Sequence, residues 1–170
     1  VLGKVLRKPQ CFFNLLNDNA ALIILSCALS LVMITGGIDI SVGTLTALVC
    51  MSCAVHLDKQ GGSVGTAILI ALGIGLAFGL VQGFLVAYLD IQPFIVTLAG
   101  MFFAKGMTTI VNATQFNVAH EGFKALKDTR IYVPFMGSYN KLGNYVPAYV
   151  EIGVIVALVV VMALFVLLKG

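Results

Sequence analysis

The chain has 170 residues, 60% of them hydrophobic and only 10% charged, with a net charge of +3 and a mean hydropathy of +1.06. A soluble domain carries about 25% charged residues, so this composition excludes an ordinary water-soluble fold. So small a positive surplus on so apolar a chain gives no footing for nucleic acid. Uncharged runs over 60–89 and 152–168 match membrane-spanning helices, whereas a barrel would show short alternating segments. The expected class is an all-α integral membrane protein, a polytopic bundle of about five helices with a break at residues 36–41.

Residues 1–19 mix Lys4, Arg7 and Lys8 with Phe12, Phe13, Leu15 and Leu16. They read as an interfacial lead-in, with Asn17, Asp18 and Asn19 as cap candidates. Four membrane helices are predicted over 20–111. The first covers 20–35 and the second 42–57. A continuous helix over both would be about 57 Å long, nearly twice a ~30 Å hydrocarbon core, so the segment must break. The break falls in Gly36-Gly37-Ile38-Asp39-Ile40-Ser41-Val42-Gly43, where glycines loosen the helix.

Asp39 is the only Asp, Glu, Lys or Arg between Asp18 and Asp58, in apolar surroundings where a carboxylate is costly. Two readings of it stand side by side. In one, Asp39 or Ser41 is the N-cap of the helix that begins near Val42. In the other, half-helices meet there and Asp39 contacts a substrate or ion, as discontinuous helices do in transporters.

Cys50-x-x-Cys53 followed by His56 has metal-like spacing, but no second ligand pair follows and all three lie in an apolar helical run. They read as core packing rather than a metal site, and Cys11 and Cys27 suggest no disulfide framework. A polar turn at 58–63 leads to a third helix over 64–89. Ala67, Ala71, Gly75, Gly79, Gly83 and Ala87 recur every four residues and form a small-residue face suited to close helix packing. Gln82 adjoins that face, placed to bond across it.

Pro93 suits the first position of the fourth helix, which runs to about 111, with Thr97 one turn further on. Lys105 reads as a snorkelling anchor. Residues 112–147 are a polar loop containing a short surface helix over 120–127. Asn112-Ala113-Thr114 in that loop matches a glycosylation triplet that is common by chance. A fifth membrane helix is expected over 148–168. No phosphate loop, zinc-protease motif or Ser/His/Asp set occurs, so neither catalysis nor a cofactor is expected. The opening on Val1 and the close on Lys169-Gly170 read as cut ends of a longer protein.

Three stretches carry a family resemblance: Val32-Met33-Ile34-Thr35-Gly36-Gly37-Ile38-Asp39-Ile40-Ser41-Val42-Gly43, Gln92-Pro93-Phe94-Ile95-Val96-Thr97-Leu98-Ala99-Gly100-Met101 with Gly106, and the entry Asn14-Leu15-Leu16-Asn17-Asp18-Asn19-Ala20. Over about 11–111 the chain resembles the permease subunits of bacterial ABC sugar importers, the ribose, galactose and xylose permease family. Ile40 replaces that family's usual Leu. The run Thr97–Phe103 is especially similar to galactofuranose-type permeases.

The resemblance implies that residues 1–170 are a partial permease domain in a bacterial inner membrane. Its partners would be a second permease subunit (identical or different), cytoplasmic ATPase subunits and an extracytoplasmic sugar-binding protein. The ATPase-docking stretch would lie beyond Gly170. ATP-driven alternating access would move a monosaccharide past the broken region, with Phe94 and Thr97 as path candidates and helix packing as their competing role. The positive-inside rule would put the Lys- and Arg-bearing 1–19 and 112–147 in the cytoplasm. The resemblance puts 112–147 outside, and its specific motifs are followed here. An ion-coupled secondary transporter using Asp39 as the coupling carboxylate, and a scaffold that transports nothing, are the rival classes.

Overall fold

The structure is a computed structural model that describes residues 9–114, 118–127, 129–139 and 145–169. The first part of the expected lead-in, 1–8, lies outside the described residues. Among the described residues, six helices and a hairpin follow in chain order: α1 (Pro9–Ile34), α2 (Val42–Asp58), α3 (Val64–Ala87), α4 (Pro93–Val111), the short α5 (Glu121–Lys127), β1 (Arg130–Tyr139), β2 (Tyr145–Glu151) and α6 (Ile152–Lys169). Four of them, α1, α3, α4 and α6, are long and apolar enough to cross a membrane, and α2 is a shorter apolar helix of 17 residues. The expected polytopic helical architecture is what the chain forms. Large apolar side chains such as Leu69, Leu72, Leu76 and Leu80 stand more than half exposed, a surface that only lipid or further protein solvates.

Two element boundaries differ from the sequence expectation. The first described helix already includes Pro9, eleven residues before Ala20, and residues 10–19 contain no breaker. The last helix begins at Ile152 rather than near 148, because 145–151 pairs as a strand with β1. The polar loop is thus an antiparallel hairpin preceded by α5. Its register shifts between Val133 and Gly137, where Pro134 on one strand and Pro147 on the other lack the N–H a regular ladder needs.

The chain divides into two compact units, Val1–Ala28 with Ala125–Gly170, and Leu29–Lys124. In the first, Ala20, Val154 and Ala157 are buried together, with Leu16, Ile23, Ile24 and Val150 packed around them. Two amide side chains of α1 pin β2 to this core. Gln10 Oε1 accepts the Tyr149 N–H at 3.0 Å, and Asn17 Oδ1 accepts the Glu151 N–H at 3.1 Å. Arg130 lies 4.4 Å over the Tyr149 ring, a cation–π contact across the hairpin.

In the second unit α2 packs against both α3 and α4. Its far end is tied down by polar contacts: Asp58 accepts the Ala119 N–H at 2.9 Å, and Lys59 donates to Asn112 at 2.8 Å. The His56 ring lies within hydrogen-bond distance of Gln60 (3.0 Å) and Thr66 (2.7 Å), and Cys53 donates to the Ala67 carbonyl. Cys53 and His56 therefore serve the α2–α3 junction, while Cys50, expected to pack in the core, is exposed. Ser63 caps α3 by accepting the Thr66 N–H.

Asn17→Ala should leave the Glu151 N–H without its acceptor at the root of the hairpin, costing about 1 kcal/mol. Faster amide exchange in 145–151, with α2–α4 unchanged, is the expected outcome by hydrogen–deuterium exchange in detergent.

Candidate functional site

The break is built from one helix stop and one helix start. Gly36 adopts φ +79, and its N–H donates to the Met33 carbonyl at 3.0 Å while the Gly37 N–H donates to the Val32 carbonyl at 3.1 Å. These two bonds form a Schellman stop with glycine in the left-handed position. Gly36 therefore ends α1 rather than loosening it. Gly37 sits in close quarters: a Cβ there would stand 3.3 Å from the Val32 side chain and 3.7 Å from Pro93 of α4. Nothing stands within 4 Å of the corresponding position on Gly43.

The cap role is divided between the two residues expected for it. Ser41 holds the N-cap position but is already helical (φ −73, ψ −17) and makes no side-chain cap bond. Its carbonyl accepts the Leu45 N–H at 2.9 Å, the first bond of α2. Asp39 supplies the acceptor. Its Oδ1 takes both the Ser41 N–H at 2.8 Å and the Ser41 hydroxyl at 2.7 Å. A carboxylate at the start of α2 also lies at the favourable end of the helix dipole.

The neighbours close the site. Ser41 is fully buried, and Gln82 of α3 donates its amide to the Ser41 hydroxyl at 3.1 Å. The Thr97 hydroxyl of α4 lies 3.1 Å from the Ile38 carbonyl and 3.2 Å from the Phe94 carbonyl, one donor shared between two acceptors. Gln82 lies about 8 Å inside the end of α3, and Thr97 about 6 Å inside the start of α4. Both helices are long and apolar enough to cross a hydrocarbon core, and the break packs against their bodies rather than against the turn that joins them.

Asp39, Ser41 and Thr97 thus come together at one place, with Gly36 and Gly37 forming its upstream wall. Phe94, 44% exposed, lies one turn before the buried Thr97. The other expected group stays apart: no atom lies within 4 Å of a Cβ built on Gly75, Gly79 or Gly83, so among the described residues that face of α3 is open. The backbone role of Thr97 escaped the sequence reading. The available signal was a hydroxyl one turn inside Pro93, on a helix that must pass the break.

The family model described as "Branched-chain amino acid transport system / permease component" matches residues 11–170, and the chain belongs to that family. It is 35% identical over 144 residues to the inner membrane ABC transporter permease protein YjfF of Escherichia coli K12, covering 85% of this chain and 44% of the relative. It is 40% identical over 99 residues to the fructose import permease protein FruG of Bifidobacterium longum, covering 58% of this chain and 29% of that one. With the galactofuranose transporter permease protein YtfT of E. coli K12 it shares 39% over 113 residues, covering 66% and 32% of the two chains. The chain spans less than half the length of each of these relatives. No solved structure matches it.

Thr97→Val keeps the shape and removes the donor to Ile38. The change should lower stability by about 1–2 kcal/mol, while Thr97→Ser stays near the parent. Thermal denaturation in detergent micelles checks both, and equal melting of all three would remove Thr97 from the support of the break.

Proposed function

We propose that this chain is part of the membrane-spanning subunit of an ATP-driven importer that translocates a monosaccharide. The observation that carries the proposal is the helix break built on Asp39 and held by two apolar helices, in a chain 35% identical over most of its length to an ABC permease. ATP hydrolysis belongs to separate cytoplasmic ATPase subunits, since the chain's own residues hold no nucleotide motif. A second permease subunit, identical or different, completes the path, and an extracytoplasmic binding protein delivers the sugar. Gly75, Gly79 and Gly83 offer α3 a face for close approach of a further helix.

Sugar is favoured over amino acid by the printed names of relatives, fructose and galactofuranose permeases among them, although the family description names branched-chain amino acids. The break suits a polyol. Asp39 Oδ1 is occupied by Ser41, while Oδ2 makes no hydrogen bond among the described residues and is free to accept a hydroxyl. Phe94 is exposed nearby in sequence to Thr97 and offers a ring face for stacking. Substrate passage then needs no bond chemistry, only a shift between two arrangements of packed helices driven by the ATPase.

The experiment is uptake into vesicles carrying the intact permease, its ATPase and its binding protein, with ATP supplied and ion gradients collapsed. Uptake of fructose, ribose or galactofuranose is expected, uncompeted by leucine. Asp39→Asn keeps an acceptor for Ser41 and should retain most uptake. Asp39→Ala removes that acceptor, costs about 1 kcal/mol or more, and should lose most of it. Uptake that ignores ATP, needs a proton or sodium gradient and disappears in Asp39→Asn would make the protein an ion-coupled transporter instead.

A further inference from the structure

Within the body of α3, Gln82 is a lone amide among apolar side chains. It borders a groove of about 510 Å³ between α3 and α4 whose other lining side chains, among them Phe78, Val81, Leu85 and Phe103, are apolar. A free amide in such surroundings is costly, so its bond to Ser41 is its compensation. A second observation concerns the opposite helix. A Cβ built on Gly100 of α4 would overlap the Gln82 amide nitrogen and would stand 3.6 Å from the Ser41 Cβ. Gly100 is therefore the cradle in which the Gln82 amide rests, and three helices meet at one hydrogen bond.

The direction of the chain of bonds is fixed by chemistry. The amide N–H can only donate, and the Asp39 carboxylate can only accept. The Ser41 hydroxyl between them must receive from Gln82 and give to Asp39. We propose that Gln82 is a positioning residue, held by Gly100, through which α3 fixes the Ser41 hydroxyl and with it the orientation of the Asp39 carboxylate. Oδ1 is thereby turned to the start of α2. Any displacement of α3 along α2 breaks this relay, so the movement of one helix is felt at the carboxylate. The inference stands on geometry and does not depend on which solute is carried.

Its test is a set of variants of the intact permease in detergent, read by hydrogen–deuterium exchange of the segment 36–44. Gln82→Met preserves the volume and removes the donor. Exchange of 36–44 should rise about five- to tenfold, with the bodies of α3 and α4 unchanged. The added methyl of Gly100→Ala meets the flexible end of Gln82, so the amide should swing away without unfolding the helix pair. Gly100→Ala should therefore raise exchange in the same segment. Combined with Gln82→Ala, it should add nothing to the effect of Gln82→Ala alone. Parent-like exchange in Gln82→Met would overturn the proposal. Additive effects of Gly100→Ala and Gln82→Ala, or a rise spread evenly over all helices, would do the same.

Discussion

Everything in the second unit depends on a constraint that lipid imposes and water does not: a backbone that leaves its helix at membrane depth must find its hydrogen-bond partners inside the protein. Between α1 and α2 the partners come from four directions. The Schellman bonds close the end of α1, and the Asp39 carboxylate takes the N–H of Ser41, the cap residue before α2, together with its hydroxyl. Thr97 reaches across from α4 to the Ile38 carbonyl, and Gln82 reaches from α3 to Ser41. The charge that looks out of place in the sequence is the acceptor around which this accounting is made.

The same constraint explains why α2 is short and held at both ends. Seventeen residues make about 26 Å of helix, less than a ~30 Å hydrocarbon core. At its start α2 is fixed by the carboxylate and the two neighbouring helices. At its end it is fixed by Asp58, Lys59 and His56, which bind the segments that follow α2 and α4. A helix tied at both ends and packed against two neighbours moves with them or not at all. The open face of α3 is different in kind. Among the described residues nothing stands within 4 Å of a Cβ built on Gly75, Gly79 or Gly83, whereas Ala67 at the start of the same row is buried.

Much of this was legible in the residues. Sixty per cent hydrophobic composition and long uncharged runs leave no stable alternative to membrane helices, and a pair of glycines beside an isolated aspartate marks the break. The hairpin was hidden because Pro134 and Pro147 demote its strands, and the polar residues around them read as loop. The early start of α1 was hidden because charged and aromatic residues resemble an interfacial segment, although nothing from Gln10 onward interrupts a helix. The division of the cap between Asp39 and Ser41 was also beyond reach, since either side chain suits an N-cap and only backbone angles decide between them.

The sequence by itself determined the class of the protein, the place of the break and the presence there of one carboxylate, because hydrophobicity and helix length are summed along the chain. Only the tertiary structure decided what that carboxylate does. Ser41, Gln82 and Gly100 are separated by many residues, and no periodicity within one helix states which residue of another stands opposite. Their meeting follows from the way α2, α3 and α4 pack, which puts a hydroxyl, an amide and a missing side chain at one level. Hydrogen bonds are short-ranged and directional, so they are settled last, by the packing that brings donor and acceptor within 3 Å or so of each other.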